Sequence, residues 1–504
     1  MILLDFQVPN GICLCLLRIA QIFLSLGRVL FLLSRLLVHH TAPLFMNTEI
    51  LSRIQFAFTV AFHYIYPPLS IGLGVVMIIM EGMYLRTGQK IYEQMTRFWI
   101  KIFALIFGIG VATGIVMEFE FGTNWAVYSR YVGDIFGSAL AAEGIFAFAL
   151  ESGFLGILIF GWNRVSPRVH FFSTIMVALG SMFSAIWIVV ANSWQQTPAG
   201  FRIEGQGMKA RAVITDFWAM VFNPSSVDRL SHVIIGSFLA GSFLVLSVNA
   251  YYLLRNRHVA IAKSGFKIAL VVATVASLLQ LFTGHRSADG VAKNQPAKLA
   301  AFEGHYDSSA VADMYLLGWT DAQAQKVSGL KIPGGLSFLI HQDLKAPVTG
   351  LNAFPTDQRP SARAVNFVFQ TYHLMVAIGM ALIGLSLLGM FLWWRGRLFD
   401  QKWLLQIFAW AVLLPQIANQ VGWYSAEVGR QPWVVYGLLR TSDALSQSLR
   451  TEQVLFSLIL FTLVYSLLFA LFLYLLNKKI KHGPDDLHEE VIPDYSKRDN
   501  PILN

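Results

Sequence analysis

The chain has 504 residues, 55% of them hydrophobic and only 13% charged, with a mean hydropathy of +0.56, which excludes a soluble globular domain. Its net charge of +9 is spread over short loops between apolar runs, so it reports membrane orientation and excludes a nucleic-acid partner. With Cys13 and Cys15 the only cysteines and no C-x-x-C-H run, iron–sulfur clusters and attached haem c are excluded; any redox cofactor must take His, Met or carboxylate ligands.

Residues 1–45 read as an N-terminal extension. They are apolar but interrupted by Arg18, Arg28 and Arg35, unlike the unbroken centre of a signal peptide. Met46 leads directly into the first long apolar run, so translation is expected to start there; one extra N-terminal hydrophobic helix is the alternative. Beyond it, apolar runs of roughly 20 residues are long enough to cross a bilayer. They predict spans near 54–83, 98–118, 136–162, 169–194, 230–254, 266–284, 364–394, 403–425 and 451–477, an all-α integral membrane protein built as a nine-transmembrane-helix bundle. Residues 46–284 carry spans one to six, 285–363 form an outer loop, 364–480 carry spans seven to nine, and 481–504 form a tail. Arg86, Lys90, Arg97, Arg164, Arg168, Arg255, Arg395 and Lys402 fall in alternate short loops, and Lys478, Lys479 and Lys481 follow the last span. By the positive-inside rule these loops and the C-terminus face the cytoplasm.

Polar residues inside such spans are costly and point to function. His63 precedes Pro67-Pro68, whose rings free backbone carbonyls; the plain alternative is a histidine bonded to a neighbouring helix. Glu143 and Glu151 share one helix at a rise of about 12 Å and a rotation of about 80°, so both line one channel without touching. That separation suits a proton relay with a water or hydroxyl between them, and Ser184 on the next helix is a suitable intermediate. Glu118 and Glu120 lie at a helix end and read as solvated. His232 opens an apolar helix, where it serves as a ligand or an interfacial cap. Met375 is core packing or, paired with a histidine, an axial ligand of an electron-transfer haem. His373 points about 200° away from Met375 on the same helix. Of the 12 histidines, only His63, His232 and His373 lie well inside spans, too few for a haem–copper oxidase or a bc-type cytochrome b. Glu427 sits at the membrane edge in Gly422-Trp423-Tyr424-Ser425-Ala426-Glu427-Val428-Gly429-Arg430-Gln431-Pro432-Trp433.

That last stretch, together with Gly110-Val-Ala-Thr-Gly114, Met117-Glu-Phe-Glu-Phe-Gly-Thr-Asn-Trp125 and Tyr131-Val-Gly-Asp-Ile-Phe-Gly137, resembles subunit I of the cytochrome bd family of quinol oxidases over roughly residues 47–480. The resemblance implies His232 and Met375 as axial ligands of haem b558. It implies His63 and Glu427 at the two high-spin haems, b595 and haem d (or a b-type haem in its place). It makes Glu143 and Glu151 members of a proton path and Trp423 and Arg430 supports of the haem cluster. In the outer loop, Lys298 and Glu303 fall in the pattern that binds and oxidises membrane quinol; a cation orients the quinol oxygen and a carboxylate accepts its proton. The loop resembles the shorter, cyanide-insensitive branch. One departure is His373, where many members carry Arg. The implied activity is quinol oxidation coupled to reduction of O₂ to water, with protons taken up from the cytoplasm, released outside, and no pumping. A second membrane subunit, subunit II, and a small single-helix subunit are the implied partners, in a bacterial cytoplasmic (inner) membrane. A proton-coupled transporter using Glu143, Glu151 and Glu427 is the rival; it commonly brings internal repeats, which the chain does not display.

Overall fold

A computed structural model describes residues 47–485; the extension at 1–45 and the tail beyond 485 lie outside the described residues. Among them, nine helices are long and apolar enough to cross a membrane: α1 (Thr48–Thr87), α2 (Lys90–Thr123), α3 (Gly133–Phe160), α4 (Pro167–Gln196), α5 (Ser226–Leu254), α6 (Val259–Asn294), α7 (Ala362–Trp394), α8 (Lys402–Val428) and α9 (Thr451–His482). Every span expected from the apolar runs has its helix.

Three of these helices are irregular, two of them beside a polar residue singled out above. The first span divides into Thr48–His63 and Tyr66–Thr87, because Pro67 and Pro68 follow at the start of the second piece and cannot donate into the first. His63 is the last residue before that break. In α3, Glu143–Phe148 winds as a π-helix, which shifts the register between Glu143 and Glu151. In α8, Lys402–Trp410 and Leu413–Val428 meet at a break just upstream of Pro415.

α5 forms the centre, with 78% of its apolar window buried, and packs against α6 and α1. α1 and α5 approach through Gly72 and Gly241: a Cβ on Gly72 would lie 2.7 Å from the Gly241 nitrogen. Small residues permit such backbone contact where apolar burial gives no advantage over lipid. α3 and α4 pack as a second pair and α7 and α8 as a third. α3, α7 and α9 bury only 17%, 22% and 11% of their apolar windows, so they present apolar faces outward. The sixth span runs ten residues past its expected end, to Asn294, and the short helix Pro296–Phe302 turns directly beneath the outer loop. That loop carries the hairpin of β3 (Met314–Asp321) and β4 (Lys326–Ile332); β1 (Phe201–Glu204) and β2 (Arg211–Ile214) make a smaller one after α4.

Candidate functional site

Four helices enclose the space between His232 and Met375. His232 opens the buried part of α5, and Gln280 of α6 sets its amide nitrogen 3.1 and 3.2 Å from the two ring nitrogens. Thr283 lies 3.4 Å from Nδ1. Gly284 lies under the ring, with the position of an added Cβ 3.5 Å from Cε1. Across the space, Gly422 of α8 lies so close to Met375 of α7 that a Cβ there would strike the sulfur. One turn earlier on α8, Asn419 faces Gly236 of α5. Gln280 Oε1, both side-chain amide atoms of Gln416, Asn419 Nδ2 and Gln420 Oε1 are buried without a partner. Sequence reading missed this row of amides, although three of them recur at helical spacing on α8.

His63 is set differently. Its Nδ1 lies 3.0 Å from Thr113 Oγ1 on α2. The Thr113 hydroxyl donates to the carbonyls of Ile109 and Gly110, so it accepts from Nδ1–H and leaves Nε2 with its lone pair. Gly114 lies under this ring too, with an added Cβ 3.1 Å from Cε1.

Glu427, near the end of α8, is the hub of a charged network. Its carboxylate accepts from Arg430, which is 4% exposed, and from Asn192 and Gln196 of α4, each at 3.2 Å. Arg229 of α5 donates to the same Asn192. Arg430 also reaches Gln195 at 3.3 Å and the Trp433 carbonyl at 3.2 Å. Trp423 stands one turn before Glu427, its ring 5.2 Å from that of Tyr424. The Glu427–Arg430 pair is legible at i, i+3; Arg229, Asn192 and Gln196 come from other helices and carry no local signal.

Glu143 and Glu151 line the α3–α4 interface. Ser184 donates to Glu143 at 2.5 Å, and Ser181 is the hydroxyl partner of Glu151. Ser184 thus sits on Glu143 rather than midway between the acids. Glu118 is exposed, as read from its position, but Glu120 is not: it is 2% exposed and both its carboxylate oxygens lack a partner. The helix continues to Thr123 beyond the expected end, which turns Glu120 inward beside Thr59 and Tyr465.

In the outer loop, Lys298 and Glu303 are 1% and 2% exposed, and no ion pair joins them. Lys298 donates to Gln196 at 3.0 Å and to Gln295 at 3.2 Å, which ties the loop to the Glu427 network. Burial first, and then the Arg229 charge, hold its ammonium well below the ordinary lysine range, with Glu427 opposing and Arg430 adding to the shift. Burial pushes the Glu303 carboxyl up to about 7, opposed by its hydrogen bond with Tyr372. Phe302 stacks on Tyr372 at 4.8 Å. His373 places Nδ1 2.8 Å from the Phe369 carbonyl and Nε2 2.7 Å from the Tyr315 carbonyl on β3. It pins the loop hairpin to α7, on the side away from Met375.

A large flat group with its own metal fits these residues. No cluster of three or more His, Cys, Asp or Glu converges among the described residues. Single axial donors such as His63 Nε2, His232 and Met375 suit a metal that brings its own equatorial ligands, as haem iron does. The unpartnered amide atoms of Gln280, Gln416, Asn419 and Gln420 are donors and acceptors that a polar-edged group could satisfy.

The family model described as cytochrome bd terminal oxidase subunit I matches residues 51–484. The chain is similar to cytochrome bd ubiquinol oxidase subunit 1 of Bacillus subtilis (strain 168), 37% identical over 88% of this chain and 96% of that protein. It is similar to cytochrome bd-II ubiquinol oxidase subunit 1 of Escherichia coli (strain K12), 36% identical over 87% of this chain and 98% of the relative. Among solved structures, a bd oxidase from Geobacillus thermodenitrificans superposes with a TM-score of 0.79 at 28% identity, covering 87% of this chain and 99% of the other.

Proposed function

The chain belongs to the cytochrome bd terminal oxidase subunit I family, and on that premise we propose that it oxidises membrane quinol at its outer loop and supports reduction of O₂ to water within the bundle. Haem, when bound, supplies the electron transfer and the oxygen chemistry; three haems are assigned, b558, b595 and haem d or a b-type haem in its place. His232 and Met375 would hold the first from α5 and α7. His63 and Glu427 would serve the other two, with Trp423 and Arg430 packing and balancing charge around them.

The protein's own residues do the rest. Lys298 fixes a quinol oxygen at the base of the loop, and Glu303 accepts its proton, handing it toward the outer side. His373 fastens the β3–β4 hairpin over this region and takes the place of the family's arginine. Glu151 and Glu143 carry protons inward with Ser181 and Ser184 beside them. Because protons enter from the arginine-lined end and leave at the loop, charge separates without pumping. The exposed apolar faces of α3, α7 and α9 support packing against subunit II, a small single-helix subunit or lipid. The arginine-rich short loops support a cytoplasmic C-terminus in a bacterial inner membrane.

The observation that carries this reading is the set of unpartnered buried amide atoms on Gln280, which touches His232, and on Gln416, Asn419 and Gln420 of α8, the helix whose Gly422 meets Met375, since unsatisfied amide atoms in a membrane interior are costly. A His232→Ala variant is expected to lose the low-spin b-type band and quinol oxidation together while other haem bands persist; retention of the band would displace His232 as a ligand.

A further inference from the structure

Glu81 of α1 and His170 of α4 form a buried titratable pair that none of the roles above uses. They are 0% and 1% exposed. His170 Nε2 lies 3.1 Å from the Leu158 carbonyl of α3, which can only accept, so Nε2 carries a hydrogen. Nδ1 lies 2.6 Å from Glu81 Oε1. With Nε2–H fixed, that bond holds one proton, on nitrogen or on oxygen, and the pair is neutral either way. The Thr174 hydroxyl donates to the other carboxylate oxygen at 2.5 Å. Trp162 covers the imidazole with ring centroids 3.9 Å apart, and Arg97, paired with Glu93, stacks over Trp162 at 4.6 Å. The Trp162 indole N–H is buried without a partner.

The position of the pair gives it a use. α3 and α4 run antiparallel, and polar contacts cross between them at Glu143–Ser184, at Glu151–Ser181 and at the Leu158 carbonyl with His170. Leu158 lies two turns beyond Glu151 on the same face of α3. The connection at 161–166 carries Arg164 but no acid and no histidine. A proton moving from the arginine-lined end along this interface therefore meets Glu81 and His170 before Glu151.

We propose that Glu81–His170 is a proton-exchange pair that loads the Glu151–Glu143 path from the arginine-lined end. Uptake of one proton leaves Glu81 as the acid and His170 as imidazolium. Release of one proton through the Thr174 hydroxyl and intervening water toward Glu151 restores the neutral pair. The charged groups facing it are Arg97 and Glu93, beyond Trp162. The inference rests on the reading of Glu151 and Glu143 as a proton path.

Glu81→Gln and His170→Gln, in the assembled oxidase, keep hydrogen-bonding groups at these positions but remove the exchangeable proton. Both are expected to keep the wild-type haem spectrum. Single-turnover proton uptake, followed with a pH-indicator dye, should slow at least about tenfold, and quinol-driven oxygen consumption should fall with it. Thr174→Val provides a milder variant should either substitution prevent assembly, with a smaller slowing expected. Wild-type uptake in the variants that assemble, beside a slow Glu151→Gln, overturns the pair's role alone. Wild-type uptake in Glu151→Gln as well overturns the path on which it rests.

Discussion

Glu427 lies among Arg430, Arg229 and the buried Lys298, with Asn192 and Gln196 filling its remaining lone pairs, whereas Glu143 and Glu151 on α3 meet serine hydroxyls. Both regions place carboxylates where water is scarce, yet they solve the cost in different ways. Around Glu427 the two arginines balance a fixed charge, which suits a site that holds a cofactor and its surroundings still. Along α3 a hydroxyl can donate or accept, so no partner there locks a proton in place, which suits transfer. On the proposed reading, the same residue type takes a static role in one region and a transport role in the other because of its neighbours.

That contrast is broken most severely by Arg430→Ala. Removing one partner of a buried ion pair costs up to about 3–5 kcal/mol, the more so the fewer cations remain. The assembled oxidase should lose thermal stability and most of its haem, read by a melting curve and by the visible spectrum of the same sample. Glu151→Gln should instead leave melting and haem content unchanged while slowing turnover by about a hundredfold; an unstable Glu151→Gln would place both regions in one structural class. A third test concerns pH. Glu303 is raised to about 7 by burial, so it is protonated below that value and can accept a quinol proton only above it. Quinol oxidation is expected to rise as pH passes through 7. The stability contributed by the same group is complete below the ordinary carboxylate value and is lost as pH rises through 7. Glu303→Gln should flatten both trends while lowering the rate. The smallest effect is expected from Gly422→Ala, whose new methyl meets the Met375 sulfur: a shift of the low-spin band with little loss of stability.

The nine spans were legible because an apolar run long enough to cross a bilayer is a local property. Their irregularities were less so. Pro67 and Pro68 signal the break after His63, but nothing in Glu143–Phe148 announces a π-helix. Within the site, Glu427 lies on the last turn of α8 and Arg430 in the turn just after it, so the two can be paired by counting. Asn192 lies 235 residues from Glu427, and His170 lies 89 from Glu81, so these partnerships exist only after the bundle has formed. Glu120 shows the reverse error: a helix-end position suggests solvent, and the longer helix together with α1 and α9 removes it. Lys298 and Glu303 would pass for a surface pair on spacing alone; the short helix Pro296–Phe302 buries both and gives them different partners.

The most direct measurement is a reduced-minus-oxidised visible spectrum of the purified assembly with extraction of its haems. A b-type signal that disappears selectively in Met375→Ala, beside a far-red chlorin or second b-type component that persists, is the predicted result. An intact, correctly assembled complex that contains no haem would contradict the proposed ligands and the oxidase mechanism together.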